Sequence, residues 1–183
     1  MAVRPERRLT YDDYVHFPES ERWELVDGEA LVVPAPNARH QRLIGRLFNE
    51  IYNYLERHGG GEVFVSPFDV VLSDFDVFQP DIVFIADQDR QVLNEKNVRG
   101  SPTWAIEVLS PSTASRDTEM KLQRYEKFRV PEYWIVDPWG NNLTIYVLEE
   151  ARYPSPVLEA PPGLARPRLP ASFEIDLTHL FRD

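Results

Sequence analysis

Thr103-Trp104-Ala105-Ile106-Glu107-Val108-Leu109 runs into Ser110-Pro111-Ser112 and then into a segment of helical composition that lasts to Phe128. A short, mostly apolar run bounded by polar residues has the length and character of a buried strand. Ser112 and Thr113 supply capping side chains, and Val130-Pro131 closes the helix because the residue before a proline disfavours the α conformation. The passage predicts strand, tight connection and helix. Upstream, Glu62-Val63-Phe64-Val65-Ser66, Asp69-Val70-Val71-Leu72 and Pro80-Asp81-Ile82-Val83-Phe84-Ile85 are three more compact apolar runs between polar, Gly or Pro punctuation. The four together predict a central sheet.

The flanks fill in around that sheet. Thr10 caps a short helix with Asp12 and Asp13 in its first turn, ended by Pro18, and Asp27-Gly28 joins Arg22–Val26 to Glu29–Val33 as a hairpin. Asn37 caps a long helix to about His58, in which Leu43, Ile44, Leu47, Phe48, Ile51 and Leu55 follow the helical period and Gly59-Gly60-Gly61 is the stop. Beyond the second helix, Tyr133–Val136 and Leu143–Leu148 read as strands linked by the turn-rich stretch Asp137 to Asn142. Prolines between Tyr153 and Pro170 are too dense for a helix and predict an extended strap, and Phe173 to Phe181 closes the chain as a short strand or helix. The class is α/β (α+β), a mixed β-sheet core flanked by helices, expected as one domain over residues 1–183.

Composition bounds the chemistry. A chain of 183 residues with 43% hydrophobic and 12% aromatic residues can fill a core of that size. It has no run of about 18 apolar residues to cross a bilayer, and the charged opening to Arg8 has no apolar segment behind it, so the expected setting is the cytoplasm, with no membrane. The absence of cysteine removes disulfides, thiolate zinc sites and cysteine nucleophiles, which leaves oxygen or imidazole to hold any metal. A net charge of -10 argues against a general nucleic-acid coat. A local basic surface is still available from Arg4-Pro5-Glu6-Arg7-Arg8 and from Arg39, Arg42 and Arg46, whose plainer reading is solvated faces.

Three carboxylates stand on predicted strands. Glu107 lies between Ile106 and Val108, where an unpaired charge would cost several kcal/mol or take up a proton, so a partner is required. Asp81, after Pro80, reads equally well as a turn or capping residue, and Glu24 as a solvent-facing strand residue. On the helix after Ser112, Asp117, Lys121 and Tyr125 are spaced by four and share a face. That is at least an Asp to Lys helix pair of a few tenths of a kcal/mol. The short Ser-Pro-Ser connection also brings Lys121 beside the end of the Glu107 strand.

Taken in order, Gln79-Pro80-Asp81, Ala105-Ile106-Glu107-Val108-Leu109-Ser110-Pro111-Ser112-Thr113, then Asp117, Lys121 and Tyr125, then Glu132-Tyr133-Trp134-Ile135-Val136-Asp137-Pro138, resemble a bacterial family known as "putative restriction endonuclease", within the PD-(D/E)XK nuclease superfamily. Trp23-Glu24-Leu25-Val26-Asp27-Gly28-Glu29 and His40 also match, so the resemblance covers about Leu9 to Val147. It implies a restriction-endonuclease-like fold and a Mg²⁺-dependent endonuclease, with Mn²⁺ able to substitute, that cleaves DNA. Asp81 corresponds to the PD aspartate, Glu107 to the second metal-binding carboxylate and Glu24 to the acidic residue before the core motif. The superfamily's lysine two residues after the glutamate is Leu109 here, and the resemblance moves that lysine to Lys121 on the helix. Tyr125 and His40 are assigned no chemical role.

The implied chemistry is self-consistent. Asp81, Glu107 and Glu24 would supply hard oxygen ligands to Mg²⁺, and Lys121 would orient water or meet the developing phosphorane charge. Cutting both strands of a duplex favours a homodimer. One competing reading is a catalytically inactive nuclease-fold module that binds DNA or protein through exposed aromatics among Trp104, Tyr133, Trp134 and Trp139, although these are equally strand core residues. A two-carboxylate hydrolase of glycosidase type ranks behind both, because nothing marks a sugar platform.

Overall fold

At the predicted hairpin, Asp27 (φ 51°) and Gly28 (φ 80°) both take the left-handed conformation that a two-residue turn of type I′ needs. A Cβ at residue 28 would stand 2.6 Å from the Cβ of Arg8, so the position requires glycine twice over. The turn joins β1 (Arg22–Val26) to β2 (Glu29–Val33) in the register Glu24 opposite Leu31. Ahead of it, α1 (Tyr11–Tyr14) begins at Thr10, whose N–H and hydroxyl both donate to the Asp13 carboxylate. The structure, a computed structural model, describes residues 7–111 and 114–182.

The long helix α2 (Ala38–His58) starts where Asn37 accepts a hydrogen bond from the His40 N–H. It is followed by β3 (Gly61–Val65), β4 (Asp69–Ser73), β5 (Asp76–Phe78), β6 (Ile82–Ala86), β7 (Asn97–Arg99) and β8 (Trp104–Val108). A π-helical segment, Arg116–Lys121, leads into α3 (Leu122–Lys127). The chain then forms β9 (Glu132–Asp137), β10 (Asn142–Val147), β11 (Val157–Glu159), β12 (Leu164–Ala165), β13 (Ile175–Asp176) and α4 (Leu177–Phe181). The final segment is thus both a strand and a helix, and the proline-rich strap is extended, its β11 pairing with β10.

The mixed sheet flanked by helices is present, but the single central sheet divides in two. Among the described residues the larger sheet runs β11-β10-β9-β8-β6-β3, with β8 and β9 parallel and the other pairs antiparallel. The smaller runs β2-β1-β5-β4-β7, and β12 pairs with β13. The Asp69–Leu72 run went to the smaller sheet because it folds straight back on β5 with a bulge between Val71 and Ser73. β5 and β7 are three residues each, too short to show a period in the sequence.

Side-chain alternation on the larger sheet decides what each helix covers. Trp104, Ile106 and Val108 of β8, with Trp134 and Val136 of β9, pack on Leu43, Ile44, Leu47 and Ile51 of α2. Ala105 and Leu109, with Tyr133 and Ile135, pack on the opposite face with Tyr125 of α3. Glu107 has the same parity as Ala105 and Leu109, so it faces α3. Three of the four candidate surface aromatics are core: Trp104, Tyr133 and Trp134 are fully buried, Trp104 and Trp134 stack at 5.2 Å, and Trp139 alone of the four is exposed.

Candidate active site

The two sheets meet at Gln79-Pro80-Asp81. The chain leaves the smaller sheet after Phe78 of β5 and enters the larger at Ile82 of β6, and these three residues are the step between them. β1 pairs with β5 through Leu25 and Val77, which brings Glu24 to the step, where its Oε1 accepts from the Gln79 N–H at 3.0 Å. β6 pairs antiparallel with β8, Ile82 opposite Ile106, and one residue further along that register Asp81 faces Glu107. Asp81 Oδ2 accepts from the Val108 N–H at 2.8 Å, which fixes one carboxylate oxygen to the strand of the other.

The third contribution is Lys121, at the end of the π-helical segment. Its Nζ lies 2.7 Å from Glu107 Oε1, 2.8 Å from Glu24 Oε1 and 3.5 Å from Asp117 Oδ1. The structure therefore brings together all four sequence-predicted residues, Glu24, Asp81, Glu107 and Lys121, each at most 6% exposed. The Asp117 to Lys121 pair is real but is no surface pair, since both side chains are buried. A regular α-helix was expected here, and the wider π turn that replaces it is a deviation often found at functional sites. The expected caps at Ser112 and Thr113 lie outside the described residues, as do residues 1–6.

Electrostatics follow from this crowding. Burial pushes the Glu107 carboxyl up, Lys121 opposes that, and Asp117, Asp81 and Glu24 push it up further, so it sits well above the usual carboxylate range. Burial works against the Lys121 ammonium, but Glu107, Glu24 and Asp117 outweigh it and hold the amine well above its ordinary value. Lys121 is therefore charged. The Tyr125 phenol, raised by burial and by Glu107, stays protonated and points its hydroxyl at Glu107 Oε1 from 3.4 Å.

His40, a sequence match without a role, belongs to the cleft. It is 6% exposed and its Nε2 lies 3.1 Å from Asp81 Oδ2. Arg22 and Arg116 line the same cleft and were not singled out by sequence. Arg22 donates to Gln79 Oε1 and Arg116 to the Val32 carbonyl. Neither stands in a motif; Arg22 comes from the hairpin and Arg116 from the π-helical segment, and only the packing of these elements around the sheet step brings them there.

The oxygens of Glu24, Asp81 and Glu107 were expected to converge on one ion. Among the described residues no three His, Asp or Glu side chains form a ready cage, and the Lys121 ammonium lies against two of the three carboxylates. The donor chemistry nonetheless suits a hard divalent cation. Four buried carboxylates, Glu24, Asp81, Glu107 and Asp117, stand beside one buried lysine, and the Glu107 pKa is raised first by burial and then by the other three carboxylates.

A protein from Synechocystis sp. (strain ATCC 27184 / PCC 6803 / Kazusa), named "Uncharacterized protein sll1609", is 28% identical over 153 residues, spanning 80% of this chain and 84% of that protein. The crystal structure of a "putative nuclease belonging to DUF820" from Anabaena variabilis ATCC 29413 superposes with a TM-score of 0.79 at 18% identity, covering 94% of this chain and 97% of that one, which shows the shared fold. Among the described residues no helix is long and apolar enough to cross a membrane. Residues 10–178 match the Uma2 family, and the chain belongs to that family, whose description is "Putative restriction endonuclease".

Proposed function

We propose that this chain is a metal-dependent endonuclease of the PD-(D/E)XK type that hydrolyses DNA phosphodiesters at the Glu24, Asp81, Glu107 and Lys121 cleft. The observation that carries the reading is the meeting of β1, the step into β6, β8 and the π-helical segment at one point, which brings Glu24, Asp81, Glu107 and Lys121 together. A purely structural ion pair would need one carboxylate per lysine, and this cleft holds more. Family membership and the nuclease named in the structural neighbour support the same chemistry.

Glu24, Asp81 and Glu107 would hold Mg²⁺, with Mn²⁺ able to replace it. When bound, such an ion supplies a nucleophilic water and neutralises charge on the phosphoryl and leaving oxygens. The remaining work belongs to the chain. Lys121, held charged by its neighbours, presents an N–H to the attacking water or to a non-bridging phosphoryl oxygen, where negative charge grows in the transition state. The Val108 N–H and His40 Nε2 hold one Asp81 oxygen in a fixed direction, so the carboxylate needs little reorganisation. Tyr125 keeps a proton and orients Glu107. Cleavage of both strands of a duplex would call for two such clefts, which a homodimer would provide.

The test is incubation of the purified chain with supercoiled plasmid, linear duplex and single-stranded DNA in Mg²⁺, in Mn²⁺ and in EDTA. Nicking or linearisation of plasmid in either metal and none in EDTA is expected. Intact DNA under all three conditions overturns the reading.

A further inference from the structure

Arg39, Arg42 and Arg46 are spaced by three and four along α2, so they rise from one face of the helix, away from the face that carries His40 to Asp81. Arg182, after α4, joins them around a shallow groove floored by Leu43 and Phe181. The position works against local helix energetics. Cations near a helix N-terminus oppose the macrodipole, like charges three or four apart repel, and the first acidic residue of α2 is Glu50, which is turned to His179 at 3.2 Å. On a chain of net charge -10, four arginines about one groove are a marked local excess.

The four are not equally committed to the fold. Arg46 donates to the carbonyls of Leu180 and Arg182 and so ties the C-terminal segment to α2. Arg39 donates to Asn141 on the exposed surface. Arg42 is exposed and makes no hydrogen bond or ion pair among the described residues. Two guanidinium groups thus have donors to spare, in the planar geometry that matches phosphate.

We propose that this groove is a subsite for the phosphate backbone of duplex DNA, with Arg39 and Arg42 as the contacting residues; the inference rests on the nuclease reading and says where the duplex outside the scissile bond is held. From Arg39 to Arg46 the helix rises about 10 Å, which matches about three nucleotides of one strand at roughly 3.4 Å each. Arg39 is the chain neighbour of His40, so although the two side chains leave α2 on different faces, a strand laid along the groove passes within one turn of the residue that contacts Asp81. Phosphate contacts of this kind position without reading sequence.

The experiment measures binding of a short fluorescent duplex in EDTA as a function of salt, for the wild type, Arg42→Gln and the Arg39→Gln/Arg42→Gln pair, beside plasmid cleavage in Mg²⁺. The slope of log K against log salt should fall by roughly 0.9 per lost phosphate contact, one step for the single variant and a second for the pair. Arg42→Gln removes no contact of the fold, so it remains readable if the pair proves unstable. An unchanged slope with normal cleavage overturns the subsite and leaves the nuclease reading standing. Lost binding in the variants with no cleavage by the wild type sinks the nuclease reading and keeps the backbone subsite. Equal competition by polyglutamate would assign the groove to acidic polypeptides and overturn the proposal.

Discussion

Lys121 Nζ and Glu107 Oε1 stand 2.7 Å apart, a contact between the helical side of the cleft and the middle of the sheet. The lysine that the superfamily pattern puts two residues after the glutamate would share the face of Glu107, since side chains alternate along a strand. That position is Leu109, which packs with Tyr125 and Tyr133 in the core on the same face. Lys121 reaches that face from above it. Lys121 lies twelve residues beyond Leu109 and fourteen beyond Glu107, and brings its ammonium to the same carboxylate.

Replacing Lys121 by Met should separate structure from chemistry. Removing one member of a buried ion pair leaves its partners uncompensated and typically costs about 3–5 kcal/mol. Metal-free Lys121→Met is therefore expected to melt well below the wild type, and Mg²⁺ to raise its melting temperature more than it raises that of the wild type, because binding to the folded state alone stabilises it. Single-turnover cleavage should fall strongly while metal affinity is kept or increased. Melting unaffected by the substitution would mean that Lys121 does not offset the buried carboxylates.

The pH dependence follows from Glu107. Its folded pKa lies above the ordinary 4.5, so its contribution to the stability of the metal-free protein is full below that value and is lost as pH rises through the folded pKa. A metal ligand must be ionised, so Mg²⁺ affinity should climb over the same interval, with proton release on binding. Titration calorimetry in buffers of different ionisation heat checks this. Proton release should vanish in Glu107→Gln, and no proton release by the wild type above pH 4.5 would contradict the assignment.

Trp104 should be among the costliest side chains to remove. It is fully buried, stacked on Trp134 at 5.2 Å and set 4.6 Å from Phe84. Trp104→Ala is expected to lose about 3–5 kcal/mol, a melting shift on the order of 10 °C for a chain of this size. A shift under a couple of degrees in thermal denaturation would contradict its place in the core.

What could be read from sequence depended on range. The hairpin at Asp27-Gly28, the Asn37 cap and the period of α2 are local signals, and each element appears where its residues put it. β5 and β7 escaped because three residues carry no period, and with them went the division into two sheets. The Glu24, Asp81, Glu107 and Lys121 set was legible through a resemblance, since nothing local says that a hairpin strand meets the step before β6. The sequence marked His40 but not its contact with Asp81, a packing of α2 on the sheet end that helical periodicity does not report.

The account stands most directly on Asp81→Asn. Asparagine keeps the volume and an oxygen to accept from the Val108 N–H, so the fold should be retained, and it removes the charge of one proposed ligand. The measurement is plasmid cleavage by wild type and variant in Mg²⁺ and Mn²⁺, with EDTA as the blank and circular dichroism melting as the fold control. The predicted result is metal-dependent cleavage by the wild type and none by a variant that melts like it. Cleavage by Asp81→Asn at the wild-type rate would contradict the claim that this cleft is the active site.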